Sequence, residues 1–241
     1  MSAVNASADR SAGRSAGRPK QSVLSHQRIV DAAFALADKA GVDFTLAALA
    51  RSLDVRPSAL HHYFASRADL IAAMRGNLAA RLSDHGFSHL PWHVAIIPWA
   101  HEYLESFGNR PGVIAAMAVS PLDGEPESMR DYERVVTAFE RDGYPQHLIV
   151  PAFVAIESFI IGSALDAIAP TDNMAPGYGI EFAPRLTAAE SVSTREAEAR
   201  GITPSAAAFD FGLRALVSGL RALGESETTS PRDLLEPHHE S

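Results

Sequence analysis

Cysteine is absent from the 241-residue chain, which excludes disulfides and thiolate metal sites and leaves a secreted, stapled fold without support. A reducing cytoplasm is the expected compartment. Long uncharged apolar runs are missing as well. No stretch reaches the roughly 18 residues that a membrane-spanning helix requires. The longest candidate, Leu148 to Leu165, carries Pro151 near its start and Glu157 in its middle, and reads as a buried helix, so no membrane partner is expected. The motifs of common catalytic sites are also lacking: there is no Gly-rich phosphate loop, no Gly-x-Ser-x-Gly elbow, no His-Glu-x-x-His and no paired metal ligands. Neither an enzyme nor a cofactor is expected. His85, His89, His93 and His101 have suggestive spacings, but Gly86 and Pro91 break the helix that would align the first three. No metal site is expected there, nor at the adjacent pair His61 and His62, which point in different directions.

What is present begins with enough apolar residues, 46% against 21% charged, to bury a sizeable core. The net charge of −8 hides a division. Residues 1–90 hold 11 Lys and Arg against 7 Asp and Glu, whereas the remaining 151 residues hold 10 against 22. A basic N-terminal part on an acidic body points to a polyanion at one end and disfavours one lying along the other.

Helical periodicity runs through the chain with no β alternation between the segments. Residues 1–22 have almost no apolar side chains beyond alanine and read as a disordered basic arm. Ser25 is placed to cap a first helix with Ile29, Ala32, Ala33, Leu36, Ala37 and Ala40 on one face, ended by Gly41. Thr45 caps a second, short helix whose buried stripe is Leu46, Leu49, Ala50 and Leu53. Asp54-Val55-Arg56 is a tight connection, and Pro57 opens a third helix through Phe64. Ser66 caps a fourth, with Leu70, Ile71, Met74, Leu78 and Leu82 as its stripe.

Beyond Gly86 the spacing predicts further helices over about 92–107, 113–119, 127–142, 146–168, 187–200 and 205–223. Pro98 implies a kink or a split in the first of these. Pro170 to Pro184 reads as a long loop, and the chain after Gly224 as a disordered tail. The fold class is therefore all-α, with one group of helices at 23–86 and a second helical part at 87–224.

Residues 45–64, TLAALARSLDVRPSALHHYF, carry the most specific pattern. Two short crossed helices need a small residue where they meet, which Ala50 supplies. They also need an apolar clamp, here Leu46, Leu49, Val55 and Leu60, and polar side chains left facing outward on the second helix. With the helix ending at Ala40-Gly41, then Leu53-x-Val55, Tyr63-Phe64, Ser66-Arg67 and Asp69-Leu70, the span Ile29–Leu70 resembles the N-terminal domain of the TetR family of repressors.

The resemblance implies a helix-turn-helix DNA-binding domain at 23–86, a helical ligand-binding and dimerisation domain at 87–224, a homodimer that reads a pseudo-palindrome in double-stranded DNA, and a small hydrophobic or amphipathic effector that releases it. By position it assigns Thr45 to a phosphate, Arg56, Pro57, Ser58 and His61 to base edges, and His62, Tyr63 and Arg67 mainly to the backbone. Ala59 and His61 stand where the family often has Thr or Ser and Tyr, which bears on which operator is read. Arg56 could grip a guanine bidentately. Arg14, Arg18 and Lys20, among glycines and a proline, suit a narrow minor groove. Tyr63 has a core role as its alternative, and Arg67 and the arm have solvation as theirs.

In the second domain, Trp99, Tyr103, Phe107, Met117, Phe139 and Phe153 are candidates to line an effector pocket, each with plain core packing as its alternative. Glu157 lies amid Val154, Ala155, Ile156, Phe159 and Ile160, so it needs a basic side chain, a second subunit or a ligand, unless it sits on an exposed edge. The helices over 146–168 and 205–223 are candidates for the dimer interface, through Ile160 to Ala164 and Gly212, Ala215 and Gly219. A helical ligand-binding or scaffolding protein that does not bind DNA is the alternative reading.

Overall fold

The computed structural model describes residues 24–40, 44–107, 110–118, 125–167, 174 and 177–229. All of the regular structure among them is helical. Four helices form the N-terminal part: α1 (His26–Ala40), α2 (Leu46–Ser52), α3 (Pro57–His61) and α4 (Arg67–Ala79). Six follow: α5 (Trp92–Phe107), α6 (Pro111–Ala118), α7 (Pro126–Arg141), α8 (Gln146–Asp166), α9 (Pro184–Ala199) and α10 (Pro204–Thr229).

Local chemistry starts the first helices where the sequence marks them. The Ser25 hydroxyl accepts the Arg28 N–H, and Thr45 accepts that of Ala48 at 3.1 Å. Ser66 and Asp69 exchange hydrogen bonds in a reciprocal capping box at the head of α4. The stripes of α1, α2 and α4 are buried together, and the core continues without a seam into α5, α6, α7, α8 and α10. Gly86, at the boundary expected between the two parts, has a positive φ of +87°. Arg110, just before α6, reinforces the junction: it bonds Asp38 of α1 at 2.7 Å and lies over the Phe34 ring.

α8 is long and apolar enough to cross a bilayer by length and composition, yet here it is the central helix, packed on α5, α6, α7 and α10. α5 runs through Pro98 as one helix, the ring being exposed.

Three expectations change. α10 continues five residues past Gly224, so the segment from 225 to 229 is helix and not tail. Gly224 does not end the helix; a Cβ there would come within 2.4 Å of the Tyr144 ring, and the glycine permits that approach. Gly212 likewise faces Phe159 of the same chain, and Ile160 and Ala164 are buried inside it. Ile160 and Ala164 therefore serve the chain's own core, and Gly212 packs on Phe159 while staying partly exposed. Lastly, α9 starts three residues earlier than expected, at Pro184, whose fixed φ suits a first turn.

Candidate nucleic-acid interface and ligand-binding core

The turn between α2 and α3 is built by Asp54, whose φ of +55° is a conformation that Asp tolerates better than most residues. Val55 and Leu53 return their N–H groups to the Ala50 carbonyl, and Ala50 itself is fully buried. A larger side chain there would push α3 away. Leu60 and Phe64 anchor α3 from behind.

This bracing leaves Thr45, Arg56, Pro57, Ser58, His61, His62 and Arg67 exposed. Arg56 stands at the N-cap of α3 and makes no side-chain cap bond. Thr45 caps α2 while its hydroxyl proton stays available to an anion. Tyr63 has an internal job: it is half-buried, and its hydroxyl donates to the Leu24 carbonyl at 2.7 Å. The His26 ring meets it edge-on. Its one proton cannot at the same time serve a phosphate. The bond ties the root of the N-terminal arm beside α3. Arg14, Arg18 and Lys20 lie outside the described residues.

In the C-terminal part, four rings follow one another in contact. Tyr103 packs on Trp99 with centroids 5.1 Å apart, Trp99 on Phe153 at 5.7 Å, and Phe153 on Tyr132 at 4.8 Å. The hydroxyls at both ends of that series, Tyr103 and Tyr132, donate to the same oxygen, Oε1 of Glu157. Burial, and then the Glu157 charge, raise the Tyr103 hydroxyl above the ordinary range; burial and the neighbouring Tyr103 and Glu157 do the same for Tyr132. Within the chain Glu157 is met by a pair of phenols, which is not among the partners expected for it.

Trp99 is also held by Asp131, which accepts its indole N–H at 3.2 Å and pairs with Arg134. Arg75 of α4 is buried and donates to the carbonyl of Met117 in α6.

Trp99, Tyr103, Phe153 and Glu157 are thus brought together. Phe139 belongs to a second aromatic group, stacked on Trp92 at 4.1 Å and edge-on to Tyr144. Met117 is buried in the core, and the Phe107 side chain lies outside the described residues. Tyr132 and Arg75 escaped the reading of the sequence. Tyr132 shares the helical face of Val136 and Phe139, and a phenol on a buried stripe was the available signal. Arg75 gave none. The four histidines disperse: His85 binds Glu102, His101 binds Asp210, His89 meets Ser88 and His93 abuts Trp92.

Residues 29–74 match the family of bacterial regulatory proteins, tetR family, and residues 92–223 match the tetracyclin repressor-like C-terminal domain. The chain belongs to the TetR family. It is 25% identical over 159 residues to the HTH-type transcriptional repressor DrrR1 of Streptomyces coeruleorubidus, a match that covers 63% of this chain and 57% of that protein. It therefore aligns with little more than half of that repressor's length.

Two solved structures share the fold. One is described as a possible TetR family transcriptional regulator from Streptomyces coelicolor A3(2), with TM-score 0.69, 24% identity, and coverage of 83% of this chain and 100% of that one. The other is a TetR variant from Acinetobacter baumannii AYE in complex with minocycline, with TM-score 0.64, 24% identity, and coverage of 91% and 100%.

Proposed function

We propose that this TetR-family chain is a transcriptional repressor that grips a pseudo-palindromic operator as a homodimer in the cytoplasm. A small hydrophobic or amphipathic molecule entering its C-terminal half releases the DNA. The observation that carries the reading is the outward row Arg56, Ser58, His61 and His62, held on a short helix that Ala50 and Leu60 brace from behind. A side chain left exposed while the helix beneath it is pinned is what reading base edges requires. In this reading Thr45 and Arg67 touch phosphates, and Arg14, Arg18 and Lys20 follow the minor groove from the root that Tyr63 anchors. The repressor named among the relatives supports repression, and the minocycline complex supports a ligand-holding role for the second half.

Two helices supply the dimer face. Val150, Val154, Ser158, Gly162 and Leu165 of α8 are all exposed, one above the other, and Phe211, Ala215, Gly219 and Leu223 of α10 run beside them. Apolar side chains exposed in such rows call for a partner surface, and a second copy of the same face makes a four-helix bundle.

Electrophoretic shift with the DNA upstream of its own gene tests the reading. The wild-type chain shifts that fragment with an affinity that falls steeply with salt. Arg56→Ala weakens the shift by about 1–3 kcal/mol, roughly fivefold to 150-fold. No shift at low salt against any genomic fragment would overturn the proposal and leave a helical ligand-binding protein.

A further inference from the structure

The helices α1 to α4 carry the histidines His26, His61 and His62, and all three are exposed. His26 opens α1, His61 ends α3 and His62 follows as its C-cap. The His26 ring stands nearly at right angles to the Tyr63 and Phe64 rings, with each centroid 5.0 Å away. That contact sets His26 beside the end of α3 that bears His62. None of the three is paired with an acid. The histidine–carboxylate pairs among the described residues are His85 with Glu102 and His101 with Asp210, both beyond α4. The charged groups at this end of the head are Arg28 and Asp31 on α1, Arg51 on α2, Asp54 in the turn, Arg56 before α3, and Arg67 and Asp69 on α4. Asp31 is engaged with the Gln27 amide, and Asp69 accepts the Ser66 N–H. A shared metal does not account for the histidines, since among the described residues no three His, Asp or Glu side chains are placed to hold one.

Imidazole is the side chain that ordinarily changes charge between pH 5 and 8. An anion set against it favours the protonated form, which donates from both ring nitrogens. A duplex seated on this head brings such anions to histidines that have no acid of their own. Tyr63 cannot donate to a phosphate, because its proton goes to the Leu24 carbonyl; the exposed His26 ring packed on it supplies the donor that Tyr63 withholds. We propose that His26, His61 and His62 form a proton-dependent clamp on DNA, His26 and His62 against phosphates and His61 at the base edges, each taking up a proton as the duplex docks. This rests on the DNA-binding reading above, adds His26 to its contact residues and names a regulation of the site. The sign follows from linkage: the complex holds these protons more tightly than the free chain does. Affinity is therefore greatest at low pH and is lost as pH rises through the range in which the complex titrates.

The test is fluorescence anisotropy of the full chain on labelled DNA from upstream of its own gene, at constant ionic strength from pH 6 to pH 8. The bases and phosphodiesters of a duplex do not titrate there. Wild-type affinity falls at least roughly tenfold across the range. Calorimetry at pH 7 in two buffers of different ionisation enthalpy reads an uptake of about one to two protons per chain. The triple variant His26→Asn, His61→Asn, His62→Asn keeps less than roughly threefold of the pH dependence. His26→Asn alone lowers the proton uptake, which tests the added residue by itself. His147→Asn, at an exposed histidine of α8, leaves both readouts unchanged. Should the triple variant fail to fold or to bind, the proton counts of wild type and His26→Asn decide.

An affinity that stays flat from pH 6 to pH 8, an absence of proton uptake, or a pH dependence that survives the triple substitution would overturn the proposal. Wild-type uptake in His26→Asn would overturn the three-membered site, leaving any linkage to α3 alone. The two readings separate cleanly. DNA bound equally well at every pH leaves the repressor standing and removes the clamp, whereas no shift at any pH removes both.

Discussion

Asp131 is almost wholly buried beneath Trp99, and two opposing effects act on its carboxyl. Burial disfavours the charge and is the larger effect, so its proton is held above the ordinary carboxylate range despite Arg134 and the Trp99 N–H, which work the other way. The folded chain thus binds this proton more tightly than the unfolded chain does. The stability that the group contributes is complete below its ordinary value and is lost as pH rises through the folded one. Asp131→Asn removes the titration while keeping an oxygen for Trp99. Its melting temperature relative to wild type therefore falls as pH is lowered from 7 toward 4, because over that range the wild-type carboxyl takes up its proton and recovers. Thermal unfolding at several pH values checks this; a difference that stays flat would mean that pairing with Arg134 outweighs burial. None of this was legible in the sequence, where Asp131 stands among exposed-looking charges between Arg130 and Arg134. Its burial depends on where α7 lies against α5. Glu157 was legible as a problem because its immediate neighbours are apolar, but its answer lay 54 and 25 residues away, in Tyr103 and Tyr132.

The crossing of α4 and α7 turns on one glycine. A Cβ on Gly76 would lie 1.9 Å from the Glu125 carboxylate, and that carboxylate is fixed, because it caps α7 by accepting the N–H groups of Glu127 and Ser128. Gly76→Ala gains up to about 1 kcal/mol of helix propensity. Against this it displaces a cap worth roughly 0.5–2 kcal/mol and crowds a packed contact at about 1–3 kcal/mol. The net effect is a loss of roughly 1–3 kcal/mol, read as a lower urea midpoint. In a Glu125→Ala background the same change becomes neutral or stabilising, and a double-mutant cycle reads the coupling. If Gly76→Ala is equally harmful in both backgrounds, the contact does not carry the effect. Helices that announce themselves by caps were readable: Ser25, Thr45, Pro57 and Ser66 act on residues within one turn, so the chain alone displays them. Gly224 shows the opposite case. Read locally it is a terminator, whereas its reason for being glycine is a ring 80 residues earlier in the chain. Gly212 is similar, with Phe159 as its cause.

For the whole molecule, the proposed dimer holds two reading helices at a fixed separation, since one short reading helix addresses only half of a palindrome. Gly162 and Gly219 allow the proposed pairing face to be tested cleanly. Both are exposed, and a Cβ at either meets nothing within 4 Å in the single chain. Replacing either therefore leaves the monomer's packing intact and, by helix propensity, stabilises it slightly. Across a two-fold axis the outcome differs. Gly219→Glu places a bulky charge where α10 of one copy meets its mate, and two such charges repel each other in a desolvated seam. Sedimentation should then report half the wild-type mass with unchanged helicity. Operator affinity should drop at least roughly tenfold, because the second half-site no longer binds as part of one body. Loss of dimer and DNA binding together, with Arg56 untouched, would tie the acidic body to the basic reading head through assembly alone. A Gly219→Glu chain that stays dimeric would place the pairing face elsewhere and free the exposed rows on α8 and α10 for another partner.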